Sequence, residues 1–182
     1  MFRISITGPE STGKSTLTTA LAEHFSAYAV PEYAREYVEK LDRPYNFDDI
    51  CLIAKHQIEE QNFYAKLNDK PFVFFDTDLI ITQIWFEYCY KQTPDFLKQE
   101  LKKKYFDLYL LCSPDLPWQP DPVREHGGDE RQFFFDCYKR EIEKTGIPYV
   151  IISGKETERV QNAINAVNGN LCKSIQSVSS VC

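Results

Sequence analysis

Eight residues near the start of the chain have the spacing needed to hold a row of phosphates: Gly8-Pro9-Glu10-Ser11-Thr12-Gly13-Lys14-Ser15. They fit G-x-x-x-x-G-K-[ST], the P-loop pattern. In such a loop the glycines let backbone N–H groups close around phosphate oxygens. The helix that follows turns its positive end toward the same charge. Lys14 supplies a cation to the terminal phosphates, and the Ser15 hydroxyl is a ligand for Mg²⁺. The context fits: a β-type run over residues 2–7 precedes the pattern, and Leu17, Leu21 and Phe25 recur at helical spacing after it. The chemistry implied is nucleoside triphosphate binding, with ATP and Mg²⁺ as the expected cofactors. The expected phosphate-binding set is Gly8, Glu10, Ser11, Thr12, Gly13, Lys14, Ser15 and Thr16. What receives a phosphate is left open, because one fold hosts many acceptors.

Carboxylates come next. A short strand over 28–30 leads to Glu32 in Val30-Pro31-Glu32-Tyr33-Ala34-Arg35-Glu36, and the apolar run Phe72-Val73-Phe74-Phe75 leads to Asp76-Thr77-Asp78. In open α/β sheets the ligand site lies beyond the carboxyl ends of the strands. An apolar strand that delivers an Asp beside a P-loop resembles a Walker-B position, which holds Mg²⁺ directly or through water. Glu32 has the chemistry to take a proton from a substrate hydroxyl. Spacing leaves the two roles exchangeable. Asp78 is equally suited to capping the helix that follows, and Arg35 to pairing with Glu32 or Asp78 or to holding a polar substrate group.

The segment 117–131 combines three prolines and a pair of glycines with Arg124 and Arg131. A flap that brings either arginine onto the phosphates would stabilise charge in phosphoryl transfer and expel water. The alternative is a solvated loop whose arginines pair with its own acids. Trp118 is available to stack on a flat ring or to anchor the loop. His24, His56 and His126 lack metal-ligand spacing.

These groups need a scaffold, and the pattern supplies one. Strand-type runs fall at 2–7, 28–30, 72–75, 106–112 and 149–152. Helical spacing covers 14–25, about 48–67, 79–90, 95–104, about 129–144 and 156–167. Strands alternating with helices predict an α/β fold with a parallel sheet and right-handed crossovers. A run that is apolar on consecutive positions, as at 72–75, predicts a strand buried on both faces. Residues 1–168 are expected to form a single P-loop kinase domain. The Ser-rich segment 169–182 is expected to be a flexible C-terminal tail.

At 182 residues, 43% hydrophobic and 26% charged, the chain can bury a core without disulfide or metal staples. Its net charge of −6 argues against wrapping nucleic acid. No stretch approaches the roughly 18 apolar residues of a membrane helix. The opening apolar run is too short for a signal peptide. None of the 6 cysteines forms a Cys-x-x-Cys pair, so a reducing, cytoplasmic setting is expected. Nothing decides between a monomer and a homo-oligomer.

Taken together, the motifs resemble the ribosylnicotinamide kinase domain of NadR-type proteins, P-loop kinases related to nucleoside kinases. The resemblance covers residues 3–154. It is carried by Gly8 through Ser15, Glu32-Tyr33-Ala34-Arg35-Glu36, His56-Gln57 and Asp76-Thr77-Asp78-Leu79-Ile80-Ile81-Thr82-Gln83, with a looser match over 118–127. It implies a three-layer P-loop kinase fold with a five-stranded parallel sheet in the order 2-3-1-4-5, flanked by helices. It implies transfer of the ATP γ-phosphoryl to the 5′-hydroxyl of nicotinamide riboside, giving nicotinamide mononucleotide. Lys14, Glu32, Asp76 and Arg124 would be catalytic, with Glu32 or Asp76 as base and Ser15 and Asp76 at the metal. Arg124 and Arg131 would be lid arginines on ATP. Glu32, Tyr33, Arg35, Asp78, Gln83 and Trp118 would shape the pocket of a small-molecule nucleoside. The sequence lacks the His-x-Gly-His motif of the NadR adenylyltransferase domain and the room for its DNA-binding helices, so neither activity is implied. Two other readings remain at this level: a kinase for another nucleoside or nucleotide, and a regulatory ATPase whose γ-phosphate orders a partner-binding segment.

Overall fold

A computed structural model describes residues 1–121, 127–128 and 130–179, with backbone only from 172 onward. Five strands, β1 (Phe2–Thr7), β2 (Tyr28–Val30), β3 (Phe72–Asp76), β4 (Leu108–Cys112) and β5 (Tyr149–Ile152), alternate with helices. The helices are α1 (Lys14–His24), α2 (Tyr33–Glu39), α3 (Phe47–Tyr64), α4 (Leu79–Tyr90), α5 (Asp95–Leu101), α6 (Glu130–Thr145) and α7 (Glu156–Ser179).

The strands form one sheet in the order β2-β3-β1-β4-β5, and every pairing is parallel. β1 lies in the middle, with Ile4 opposite Phe74 on one side and Ile6 opposite Leu110 on the other. The alternation of strand side chains sorts two cores. Ile4, Ile6, Phe74 and Leu110 pack with Leu17 and Leu21 of α1 and Ala163 and Val167 of α7. Val73, Phe75 and Leu111 pack with Ile80 and Ile84 of α4 and Phe134 and Ile142 of α6. β3 is buried at all five positions, as its unbroken apolar run requires. Each fully buried Ile, Leu or Phe is worth about 1.5–3 kcal/mol relative to an exposed one. A smaller core of Ile50, Ala54, Leu79, Phe86 and Leu97 ties α3, α4 and α5 together.

Several boundaries differ from expectation. α2 was not expected; it is a short helix with no buried residue, so it carries no apolar stripe to read. The last helix was expected to stop near Val167. Instead α7 is helical through Ser179. Val160, Ala163, Ile164, Val167 and Leu171 continue one stripe onto the core beneath, which extends the helix past the expected end.

The chain turns one way after β1 and the other way after β3, so the switch in winding lies between these neighbouring strands. That crevice is where an α/β sheet binds ligands.

Candidate active site

Gly8 opens the P-loop with φ 142°, and a Cβ there would sit 2.7 Å from the Cys112 carbonyl oxygen of β4. Only glycine fits so close to the neighbouring strand. Gly13, with φ 74°, is the N-cap of α1. It lets the loop enter the helix with the first N–H groups turned toward the phosphate position. Thr12 Oγ1 donates to the Pro9 carbonyl at 2.8 Å, and Lys14 Nζ donates to the same oxygen at 3.0 Å. The loop is thus held in its curl by its own side chains.

A cavity of about 470 Å³ opens over this loop. Its lining falls into three groups: Gly8 through Thr16, Glu32 with Arg35, and the rings of Tyr45, Trp85, Tyr88, Phe134 and Tyr138. Glu32 is the N-cap of α2 but makes no capping bond with its side chain, so its carboxylate is left to face the cavity. Burial pushes its pKa up. Lys14 and Arg35 pull it down again, and Asp76 and Glu10 push it further up. Arg35 is fixed by Asp121 at 2.8 Å and Glu39 at 3.1 Å.

Asp76 and Asp78 lie two positions apart and differ in use. Asp78 is buried; it caps α4 by accepting from the N–H groups of Ile80 at 2.7 Å and Ile81 at 3.4 Å, and accepts from the Ser5 hydroxyl at 2.5 Å. It does not line the cavity, and its bonds explain why a carboxylate tolerates that depth. Between them, Thr77 holds φ 76°, a left-handed conformation that is strained for a β-branched residue. Its N–H donates to Ile6 at 3.0 Å. Asp76 is also buried, yet its Oδ1 has no hydrogen-bond partner among the described residues. Burial raises its pKa, while Lys14, a hydrogen bond from Ser15 and Arg35 oppose that rise. An orphaned carboxylate oxygen beside a hydroxyl is an all-oxygen donor set suited to Mg²⁺, which binds through one or two carboxylates with substrate phosphates completing the shell.

Other expected site residues lie elsewhere. Tyr33 stacks on His56 at 3.6 Å, outside the cavity. Gln83 donates to Glu87 at 2.9 Å and lines a second cavity on the far side of α4. Trp118 packs on Gly127, where a Cβ would lie 3.1 Å from its ring, and does not line the main cavity. Arg131 is buried and donates to the carbonyls of Leu116 at 2.8 Å and Ser11 at 3.2 Å. It braces the outer lip of the P-loop; a guanidinium at that depth requires such acceptors. Arg124 lies outside the described residues.

The aromatic end was missed. Ile80 and Ile84 of α4 enter one core, and Leu79 and Phe86 another. Ile81, packed on the edge of the first core, and Trp85, on the edge of the second, form with Tyr88 a third stripe that lines the cavity. A helix apolar on more faces than its cores can use was the available signal.

Among the described residues no helix is long and apolar enough to cross a membrane, and Cys51, Cys112 and Cys137 form no disulfide.

The fold has counterparts among known proteins. The NAD biosynthesis/regulator protein NadR of Escherichia coli (strain K12), described as trifunctional, is 28% identical over 158 residues, 84% of this chain and 38% of that protein. NadR of Salmonella typhimurium is 28% identical over 152 residues, 81% of this chain and 37% of that protein. The chain therefore spans less than two fifths of these curated relatives. A crystal structure of NadR in complex with NR superposes with a TM-score of 0.73 at 25% identity, covering 93% of this chain and 51% of that one. A thymidylate kinase from Ehrlichia chaffeensis, at 16% identity and a TM-score of 0.62, shares the fold over 92% of this chain and 97% of its own. The P-loop kinase-like architecture is thus common to all of them. A family model described as an AAA domain matches residues 3–159, and the chain belongs to that AAA domain family, with distant similarity to the kinase region of NadR.

Proposed function

We propose that this protein transfers the γ-phosphoryl group of ATP to the 5′-hydroxyl of nicotinamide riboside. The observation that carries the reading is the make-up of one cavity, lined by a phosphate loop, a carboxylate with a raised pKa and a set of aromatic rings. The relation to NadR, one structure of which is a complex with NR, favours this acceptor among nucleosides.

In this mechanism the P-loop backbone and Lys14 hold the β- and γ-phosphates. Glu32, facing the cavity, takes the proton of the 5′-hydroxyl as its oxygen attacks the γ-phosphorus. The bond from that phosphorus to the β–γ bridging oxygen breaks, and ADP leaves. Ser15 and Asp76 would hold Mg²⁺, which neutralises charge on the phosphates. Arg35 orders the wall beside Glu32, and Trp85 and Tyr88 offer faces to a flat ring. Of the two carboxylates whose roles spacing leaves exchangeable, Glu32 is taken here as the base because it lines the cavity, and Asp76 for the metal because it is buried with a hydrogen bond from Ser15.

The test is ADP release with Mg²⁺ and ATP, first alone, then with nicotinamide riboside and with each common nucleoside, with the product identified by mass. Turnover led by nicotinamide riboside, with nicotinamide mononucleotide formed, is expected. Preference for another nucleoside would replace the acceptor, and ATP hydrolysis indifferent to every acceptor would remove the kinase reading.

A further inference from the structure

We propose that the second cavity is a binding site for a small anion carrying an apolar ring, separate from the phosphate-loop cavity. It encloses about 310 Å³ between α4, the end of α5 and the C-terminal half of α6, within the size range of small-molecule sites. Its apolar lining includes Leu79, Leu101, Phe106 and Ile147.

Two polar side chains give it more than shape. Tyr109 is 4% exposed and Gln61 5% exposed, and both line this cavity. Neither the Tyr109 hydroxyl nor the Gln61 amide makes a hydrogen bond among the described residues. The neighbouring Tyr105 hydroxyl instead donates to the Gln61 backbone carbonyl at 2.7 Å. Polar atoms on side chains this nearly buried, with no protein partner, are left for water or a ligand to satisfy. Both residues line this space, where Tyr109 can supply a donor and Gln61 both a donor and an acceptor.

The rim sets the charge. Glu100 is paired with Lys103 at 2.7 Å, and Glu141 with Lys144 at 2.7 Å. Lys102 and Lys104, also at the rim, have no carboxylate partner among the described residues. The surplus is cationic. Together the lining selects an apolar ring for the floor, a polar substituent for Tyr109 and Gln61, and an anionic group at the mouth. An aromatic carboxylate and an aromatic phosphate or sulfonate share that chemistry.

The site is read from its own residues and does not depend on the kinase assignment. The experiment titrates the full chain with 1-anilinonaphthalene-8-sulfonate, two apolar ring systems with one anionic group, and follows its fluorescence. A competition arm with benzoate and with phenyl phosphate separates the two anion types. The variants are Tyr109→Phe, which removes only the hydroxyl, and the double variant Lys102→Glu/Lys104→Glu, which reverses the exposed rim. Saturable binding weakened about 3–10-fold by Tyr109→Phe and about tenfold or more by the double variant is expected. Binding of equal affinity in the wild type and both variants would overturn the site, as would no saturable binding below about 1 mM. Circular dichroism confirms that each variant is folded; should Tyr109→Phe unfold, the surface double variant alone decides.

Discussion

The two ends of the main cavity are built on different principles. At the phosphate end the ligand-facing groups are largely backbone, set by one loop between β1 and α1, and the side chains of Thr12 and Lys14 hold that loop's shape. At the aromatic end they are side chains drawn from α4 and α6 and from the segment before α3. A backbone cradle grips a group every nucleotide shares, and tolerates little change. A wall of side chains can be re-cut residue by residue, which changes the fit to an acceptor without disturbing the phosphate cradle.

That contrast can be broken at its centre first. Glu32→Gln is expected to lower kcat about 10²–10⁴-fold without changing the ATP KM; activity within tenfold of wild type would show that Glu32 is not the base. The same substitution carries a second, opposite effect. Because the fold raises the Glu32 pKa, the ionised carboxylate costs stability once pH exceeds its folded pKa. Glu32→Gln should therefore unfold at a higher temperature than wild type at neutral pH. The gain should fade below the ordinary Glu pKa, where both proteins are neutral at this position.

At the phosphate end, Lys14→Ala should cost about 10²–10³-fold in turnover, equally for every acceptor tried. Trp85→Ala, at the other end, should cost less, about 2–10-fold in the KM for the ringed acceptor, with the ATP KM unmoved. If the loop variant discriminated among acceptors and the ring variant did not, the division of labour drawn above would be reversed. The pH profile sharpens the same point. Since burial lifts Glu32, the acid limb of kcat/KM should lie above the ordinary Glu value, and Arg35→Ala should move it higher still, because Arg35 favours the ionised form.

The smallest effect is expected away from the cavity. Asp49 is held well below the usual carboxylate range by Arg43, at 2.6 and 3.0 Å, and by the Asn46 N–H and Tyr37 hydroxyl. Its contribution to stability is present above the ordinary Asp pKa and is lost as pH falls through that value toward the folded one. Arg43→Ala should flatten this acid-side loss in a thermal melt series, with little change in turnover.

How legible the molecule is follows the same division. The P-loop is contiguous, so eight residues reveal it, and β3 shows itself because a strand buried on both faces is an unbroken apolar run. The strand order is different: it came with the family resemblance, since no local pattern says which strands neighbour β1. Trp118, open by sequence to stacking on a ring or to anchoring its loop, covers Gly127, while Trp85 lines the cavity from a helix that reads as core. Gln83 and Tyr33 show the limit of carrying motifs across by position, as each points away from the main cavity. Whether Arg124 approaches the phosphates lies outside the described residues.

The central place of β1 has a consequence for the order of assembly. Its two neighbours, β3 and β4, are encoded far downstream, with Ile4 opposite Phe74 and Ile6 opposite Leu110. At about 5–20 residues per second, a ribosome needs roughly 5–20 s after making Ile6 to reach Cys112, the residue against which Gly8 packs. For that interval the strand carrying the phosphate loop lacks at least one of its two neighbours. The nucleotide site therefore waits for β4, although the loop that makes it lies well upstream. ATP can favour the finished fold, but it has nothing to hold while the chain is still being made.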